Sequence, residues 1–443
     1  MFTFGSMKKL FTVLATLAAG AWLCAGQAAY TVSITDFGAV GDGITSNTQA
    51  FSKAVNAVAK KGGGRIVVPE GIFLTGPIVL KDCMDLHLER GAVILFSPDK
   101  SEFLKDGSVR PLLSASKRHD VTLSGEGTID GNGAWWRPVK RSKVSDTEWA
   151  EFLKKGGTLT QDGQLWYPFD IKHYPNIADD ARAQEKMRPN MVRFTDCERV
   201  TVKGITLRNS PKFHLVPQRC KDVVIDSVTV RCPWNAQNGD GIDLMNCQNV
   251  VVSHCIVDVG DDGICLKAGA GAMGVKAGPC KNILIEHNTV YRAHGGFVIG
   301  SEFSGGMEDI TVRHNTFLGT DTGLRFKSAP ERGGTTRNIR ISDIQMADIK
   351  DQAIVFETTY ADRAAGYEDR VAAKTEAYLP EFTDIVMERI VCRGCETAVS
   401  LKGPVNMLHG ITLRDAVIFY EKDGLVATDP ASIVLENVTL QTY

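Results

Sequence analysis

Two aspartates stand side by side in "VGDDGICLKAG" (259–269), an otherwise apolar stretch with a glycine on either side of the pair. Adjacent carboxylates repel, and burying either one costs several kcal/mol unless it is paired. Asp261 and Asp262 are therefore a feature that stability alone does not explain. Further residues able to do chemistry follow the same style of placement: Asp240 in "NGDGIDL", His294 in "RAHGGF", Arg325 and Lys327 in "LRFKS". Crowded carboxylates divide their labour. One keeps its proton toward neutral pH while another stays ionised and activates a water. Cleavage of a glycosidic bond needs that division. An arginine and a lysine beside it would suit a substrate that is itself acidic, since a guanidinium holds a carboxylate bidentately.

Taken singly, each piece has a plainer reading. "NGDG" makes a tight turn, a pair of aspartates makes a solvated one, and "RFK" makes a surface strand. His294 between small residues reads as a core histidine. A site exists only if the fold brings the pieces together, and the sequence around them repeats. "CERVTVKGITL" (197–207), "CKDVVIDSVTV" (220–230), "CQNVVVSHCIV" (247–257) and "CKNILIEHNTV" (280–290) share one layout. Each has a small or polar start, an alternating apolar triplet, a polar turn and a second apolar pair. "MEDITVRHNTF" (307–317), "TRNIRISDIQM" (336–346) and "FTDIVMERIVC" (382–392) continue the series, and "KRHDVTLSGEGTI" (117–129) precedes it.

With Val200, Val223, Val250, Ile283, Ile310 and Ile339 as markers, the intervals are 23, 27, 33, 27 and 29 residues. Short alternating runs signal strands, and a period in this range signals a stacked solenoid. There is no fixed leucine frame and no 3.6-residue periodicity, so leucine-rich and helical repeats are set aside. The expected fold is all-β: a right-handed, single-stranded parallel β-helix, each coil about 4.8 Å above the last. The amphipathic "SNTQAFSKAVNAVAKK" (46–61) is the one strong helical signal and is expected to cap the open first coil. A long stretch at about 134–189, rich in aromatic and charged residues, carries no marker and reads as a loop excursion.

On this frame Asp240 lies 17 residues after its marker, Asp261 and Asp262 lie 11 and 12 after theirs, and His294 lies 11 after its own. Arg325 and Lys327 follow theirs by 15 and 17. Four consecutive coils thus carry them at similar phase, which should bring them within roughly 5–15 Å on one face. His254, His287 and His314 each follow a marker by four, and stacked imidazoles could hold a metal. Their neighbours at that phase are Ser227 and Asp343, so a polar turn ladder is the preferred reading.

The formal net charge of −2 excludes a general polyanion or nucleic-acid binder, so an acidic ligand must be met by a local cluster. "MKKLFTVLATLAAGAWLCAGQAA" has the layout of a secretory signal within residues 1–29, leaving 30–443 as one β-helix domain. A lipoprotein anchor at Cys24 is opposed by the bulky Trp22 and Leu23 before it. No other stretch is apolar enough to span a membrane. The chain is expected to be exported, soluble, and periplasmic or extracellular. Most of its cysteines fall within the repeats and read as small buried hydrophobes at least as well as bridges. For Cys392-x-x-Cys395 a local disulfide is expected.

The ordered motifs resemble those of the polygalacturonases of glycoside hydrolase family 28. The family's Asn-Thr-Asp, Asp-Asp, Gly-His-Gly and Arg-Ile-Lys read here Asn238-Gly239-Asp240, Asp261-Asp262, Ala293-His294-Gly295 and Arg325-Phe326-Lys327. "TDFGAVGDGITSNTQAF" and "GGGRIVVPEGIFLTGPI" are similar to the family's N-terminal region. The resemblance implies hydrolysis of α-1,4-galacturonosyl linkages with inversion. Asp261 would be the general acid, Asp240 and Asp262 would position and activate water, and His294 would tune the acid. Asn238, Arg325, Lys327 and Tyr360 in "FETTYAD" would contact an acidic pectin chain, with no metal or other cofactor. The departures Gly239, Gly263, Ala293 and Phe326 remove no reactive group. The excursion, folded over one end of the groove with its rings and cations on the terminal sugar, would make the enzyme exo-acting. A rhamnogalacturonan hydrolase of the same family, a calcium-dependent pectate lyase and a silent glycan-binding β-helix are the alternatives.

Overall fold

The computed structural model describes residues 30–169, 188–360 and 377–443. The expected secretory segment with Cys24, and residues 170–187 of the excursion, lie outside the described residues. The rest is a parallel β-helix, and the markers chosen from sequence are its rungs. Val121 pairs with Val200, Val200 with Val223, Val223 with Val250, Val250 with Ile283, Ile283 with Ile310, and Ile310 with Ile339. Ile385 and Ile411 carry the row onward. All of these side chains are buried. A one-residue slip would turn every one of them outward, so the hydrophobic row fixes the register.

Variable turns absorb the unequal repeat lengths, while two turn positions recur in almost every coil. The residue just before the marker is left-handed at Asp120, Arg199, Asp222, Asn249, Asn282, Asp309, Asn338 and Asp384. The residue four after it is left-handed at Ser227, His254, His287, His314, Asp343 and Arg389. Asn, Asp and His tolerate this region better than most side chains. The three histidines are thus turn residues, with rings stacked at 5.5 and 5.1 Å. Their polar-ladder reading holds. Two asparagines form an inner ladder: Asn288 Nδ2 donates to Val252 O (3.1 Å) and Asn315 Oδ1 (2.9 Å).

The helix Thr48–Lys60 turns Phe51, Ala54, Val55 and Val58 onto the first coils. Its polar start acts otherwise than as a side-chain cap. Buried Asn47 accepts from Val40 N (2.7 Å) and donates to the carbonyls of Val40, Thr45 and Leu74, tying the helix to the strands beneath. No described helix is long and apolar enough to cross a membrane.

The expected disulfide is a correction: Cys392 and Cys395 are free, as are all ten described cysteines. Both sit in the core beneath consecutive turns, where Cys395 Sγ donates to Phe419 O (3.4 Å). Cys197, Cys220 and Cys247 likewise point their thiols at strand carbonyls. They are small buried hydrophobes with a weak donor.

An eleven-stranded parallel sheet runs the length of the solenoid and carries the candidate site. Its strands Ile242–Met245, Ile264–Lys267, Phe297–Gly300 and Leu324–Lys327 stack in register through Ile242, Ile264, Phe297 and Leu324. Behind them Phe326 stacks on Phe356, with centroids 4.2 Å apart. The aromatic that replaces the family's isoleucine therefore belongs to the core.

Candidate active site

Asp240 and Asp262 each precede a paired isoleucine by two residues, so they sit one above the other on adjacent rungs. Asp261 and His294 precede Ile264 and Phe297 by three and form the neighbouring row, with His294 N–H donating to Asp261 O (2.9 Å). Gly260 leaves room for this turn: a Cβ there would lie 2.7 Å from the backbone of Pro233, Trp234 and Ala236. One carboxylate oxygen from each of Asp240, Asp261 and Asp262 lies within 4.8 Å of the others. The structure brings together the three aspartates, His294, Arg325 and Lys327.

Each carboxylate has its own basic partner. Lys267 Nζ bridges Asp240 (2.9 Å) and fully buried Asp243 (2.7 Å). His294 Nδ1 lies 3.1 Å from Asp261 Oδ1. Lys327 and Arg325 hold the two oxygens of Asp262 at 2.7 and 3.2 Å. The charges then separate the acids. Burial raises the Asp240 pKa, its acidic neighbours Asp243, Asp261 and Asp262 add to this, and Lys267 does not offset them, so it stands well above the usual carboxylate value. Burial also opposes ionisation of Asp261, but His294, Lys327 and Lys143 outweigh it and hold this carboxyl low. Asp262 is buried too, yet Lys327 and Arg325 keep it low. Of the three, Asp240 holds a proton most strongly.

Two expected substrate contacts have partners within the protein. Asn238 Oδ1 accepts from Arg188 Nη2 (2.6 Å), and Arg188 also binds Gln237 O. The Tyr360 ring lies under three cations, 5.5 Å from Arg325, 5.1 Å from Lys327 and 5.5 Å from Arg332. It closes the far side of the cation cluster.

Several contributors escape a reading by motif. Lys267 and Asp243 sit inside the quoted motifs, and their alternation along a strand beside known carboxylates was the available signal. His214 is fully buried, with Nδ1 2.9 Å from Asp240 O and Nε2 accepting from Ser210 N. Burial lowers its pKa to about 4, so it is a neutral donor that props the Asp240 backbone. Lys143, from the excursion, places Nζ 3.1 Å from both Gly260 O and His294 Nε2. No local pattern marks it.

The excursion has its own small core. Val139–Lys140 and Thr158–Leu159 flank Leu165–Tyr167 in an antiparallel sheet, and the helix Asp146–Lys154 starts on a Ser145/Glu148 capping box. Buried Trp136 meets Phe103 edge-on at 5.6 Å, and Arg137 donates to Ser210 O and Asn209 Oδ1. Trp136, Trp166 and Tyr167 are buried in holding the excursion together, so these rings are not the expected sugar platforms. Cations instead line the cleft: Lys143, Arg292 and Lys350 on one side of His294, with half-exposed Trp234, and Arg325 and Lys402 on the other.

Residues 142–424 match the profile of the glycosyl hydrolases family 28, and residues 31–87 match that of the rhamnogalacturonase A/epimerase, pectate lyase-like proteins. An exo-poly-alpha-D-galacturonosidase of Dickeya chrysanthemi is 31% identical over 370 residues, covering 80% of this chain and 61% of that protein. The chain thus spans less than two thirds of that relative. An endo-polygalacturonase of Pectobacterium carotovorum is 25% identical over 89% of the chain and 87% of its own length. The solved hyperthermoactive exopolygalacturonase from Thermotoga maritima superposes with a TM-score of 0.72 at 29% identity, covering 93% of this chain and 92% of its own.

Proposed function

The chain belongs to glycosyl hydrolase family 28, and from that premise we propose that it hydrolyses the α-1,4-galacturonosyl linkages of homogalacturonan, from a chain end and with inversion. The observation that carries this reading is the carboxylate cluster on two adjacent rungs, oxygens within 4.8 Å of one another, beside an Arg/Lys pair able to face an acidic sugar. Asp261 protonates the leaving oxygen, while Asp240 and Asp262 hold and deprotonate the attacking water. The basic groups around Asp261 favour its ionised form. A sugar carboxylate seated on Arg325 adds negative charge beside it and raises its affinity for a proton, which passes from Asp240, the member that holds one most strongly. Lys267, Lys327 and Arg325 supply the counter-charge and His294 a hydrogen bond, so the reading needs no metal.

Two features support exo action. The excursion reaches the site through Lys143, and two of the relatives described above bear exo-acting names while a third is named as endo-acting. The N-terminal match to the rhamnogalacturonase-type profile makes rhamnogalacturonan the second substrate to test. The secretory layout of residues 1–29 supports export to the periplasm or beyond. Digestion of long homogalacturonan and of rhamnogalacturonan, with early products resolved by size and viscosity followed, tests the proposal. Monomer or dimer from homogalacturonan with slowly falling viscosity is the expected result. A ladder of mid-sized oligomers overturns exo action, and turnover of rhamnogalacturonan alone overturns the substrate.

A further inference from the structure

Lys143 is separated from His294 by 151 positions of sequence, yet its ammonium lies on the histidine's outer nitrogen. It stands in the short turn Arg141–Lys143, held where Arg141 N donates to Gln164 O (2.9 Å) and its guanidinium donates to Val144 O (3.0 Å). From there Nζ donates to Gly260 O and lies 3.1 Å from His294 Nε2. An ammonium has donors only, so Nε2 accepts and carries no proton. The ring proton is then on Nδ1, which faces Asp261 Oδ1 at 3.1 Å. The other nearby partner of Nε2 is Asp321 Oδ2, farther away at 3.9 Å and in a carboxylate already paired with Lys350 at 2.7 Å.

We propose that Lys143 is a positioning residue of the active site: it fixes His294 as the Nδ1–H tautomer that donates to Asp261, and so makes the acid depend on the seating of the excursion. This rests on the reading of Asp261 as the acid given above. The acidic groups around the pair are Asp261, Asp321, Asp351 and Glu357, and the basic ones are Lys140, Arg292, Arg325, Lys350 and Lys402. Without Lys143, Nε2 is open to a proton and turns to Asp321, making His294 a cation between two carboxylates. A positive ring at 3.1 Å holds Asp261 ionised to lower pH than an ammonium one residue further out. The general acid then loses its proton earlier as pH rises.

The test compares Lys143→Met, Lys143→Ala and Lys143→Arg with the parent, each checked for an unchanged melting curve. Expected are a fall in kcat on galacturonate oligomers of about tenfold with KM within about twofold, a part of the range general-acid assistance supplies. The alkaline limb of the kcat profile should move to lower pH, and Lys143→Arg should recover most of the loss. A rise in KM with kcat and pH profile intact would make Lys143 a sugar contact and overturn the proposal, as would no change at all. Nitrogen-15 shifts of the labelled histidines, with His294 assigned by its loss in His294→Gln, read the tautomer without substrate. The parent should show protonated Nδ1 and accepting Nε2, and Lys143→Met should not. Identical ring shifts in both would sink the idea. A lysine-dependent tautomer in a protein inactive on galacturonan would sink the hydrolytic reading instead.

Discussion

Lys327 reaches back from its own rung to Asp262, two rungs away, and places its ammonium 2.7 Å from Oδ2. Register makes this possible. Lys267, Gly300 and Lys327 occupy one row of the site sheet, and Gly300 between the lysines has no side chain to block the path. Gly300 is left-handed (φ 110°), and a Cβ there would fall 1.9 Å from Lys327 O. One glycine thus serves both the chain path and the placement of a catalytic counter-ion.

That pairing sets a stability prediction. Asp262→Asn leaves buried Lys327 and partly buried Arg325 without their counter-charge and should cost about 3–5 kcal/mol at neutral pH, the usual range for half of a buried ion pair. The Asp262 pKa is lowered by folding, so its contribution is present above the ordinary value of 3.8 and fades as pH falls through the folded value below that. Denaturant melts of parent and variant should differ at pH 7 and converge in strong acid. A gap that does not change with pH would show that packing, not charge, is lost.

Arg325 and Lys327 should separate in kinetics. The Lys327 side chain is 8% exposed and faces Asp262, while that of Arg325 is 19% exposed and borders the cleft. Arg325→Ala is expected to raise KM for galacturonate oligomers by on the order of tenfold, the loss of one charge-assisted contact. Lys327→Met should lower kcat more than it raises KM. The reverse ordering would exchange their roles.

The acid can be assigned by leaving group. Asp261→Asn should cut turnover of galacturonan by on the order of 10²–10⁴. It should spare an aryl galacturonide whose phenolate departs without a proton. Asp240→Asn should impair both substrates alike. If the sparing appears in Asp240→Asn instead, the raised Asp240 carboxyl is itself the acid.

The anomer first released reports the geometry. An inverting pair usually keeps its carboxyl groups about 6.5–9.5 Å apart to admit a water. Here the nearest oxygens crowd within 4.8 Å, and a third carboxylate joins them. Proton NMR of the first turnovers should show β-galacturonate; α-galacturonate would mean retention and a covalent intermediate.

Chelation gives the last prediction. Each carboxylate of the cluster already has a basic protein partner, so a divalent ion would have to compete with Lys267, Lys327, Arg325 or His294. Rates should survive exhaustive treatment with EDTA, and products should carry no ring double bond. Activity lost to EDTA and restored by calcium, with an unsaturated product, would favour a lyase.

The rungs could be read from sequence because their signal is local. Val200 to Ile339 mark a row in which each residue must point inward, and that constraint repeats. The site followed from phase, since Asp240, Asp261 and His294 lie at similar phase on successive coils after those rungs. Lys143 and Arg188 could not be read this way. They arrive from a segment without a repeat, and their partners lie 151 and 50 positions away. The pairing of Asp240 with Lys267 was equally hidden, because it depends on side-chain reach across rungs. Cys392 and Cys395 show the converse: spacing suggested a bridge, whereas their coil uses both as filling.

The buried thiols give the solenoid a set of internal clocks. Eight of the ten described cysteines are buried, and they lie at intervals from Cys197 to Cys395. A thiol reagent cannot reach them until the coil around each one opens. Labelling rates followed residue by residue would therefore map how the stack comes apart, whether from its ends or from a weak coil within. In a one-dimensional array each coil leans only on its neighbours, so the order of labelling would measure how far the loosening of one coil spreads to the next.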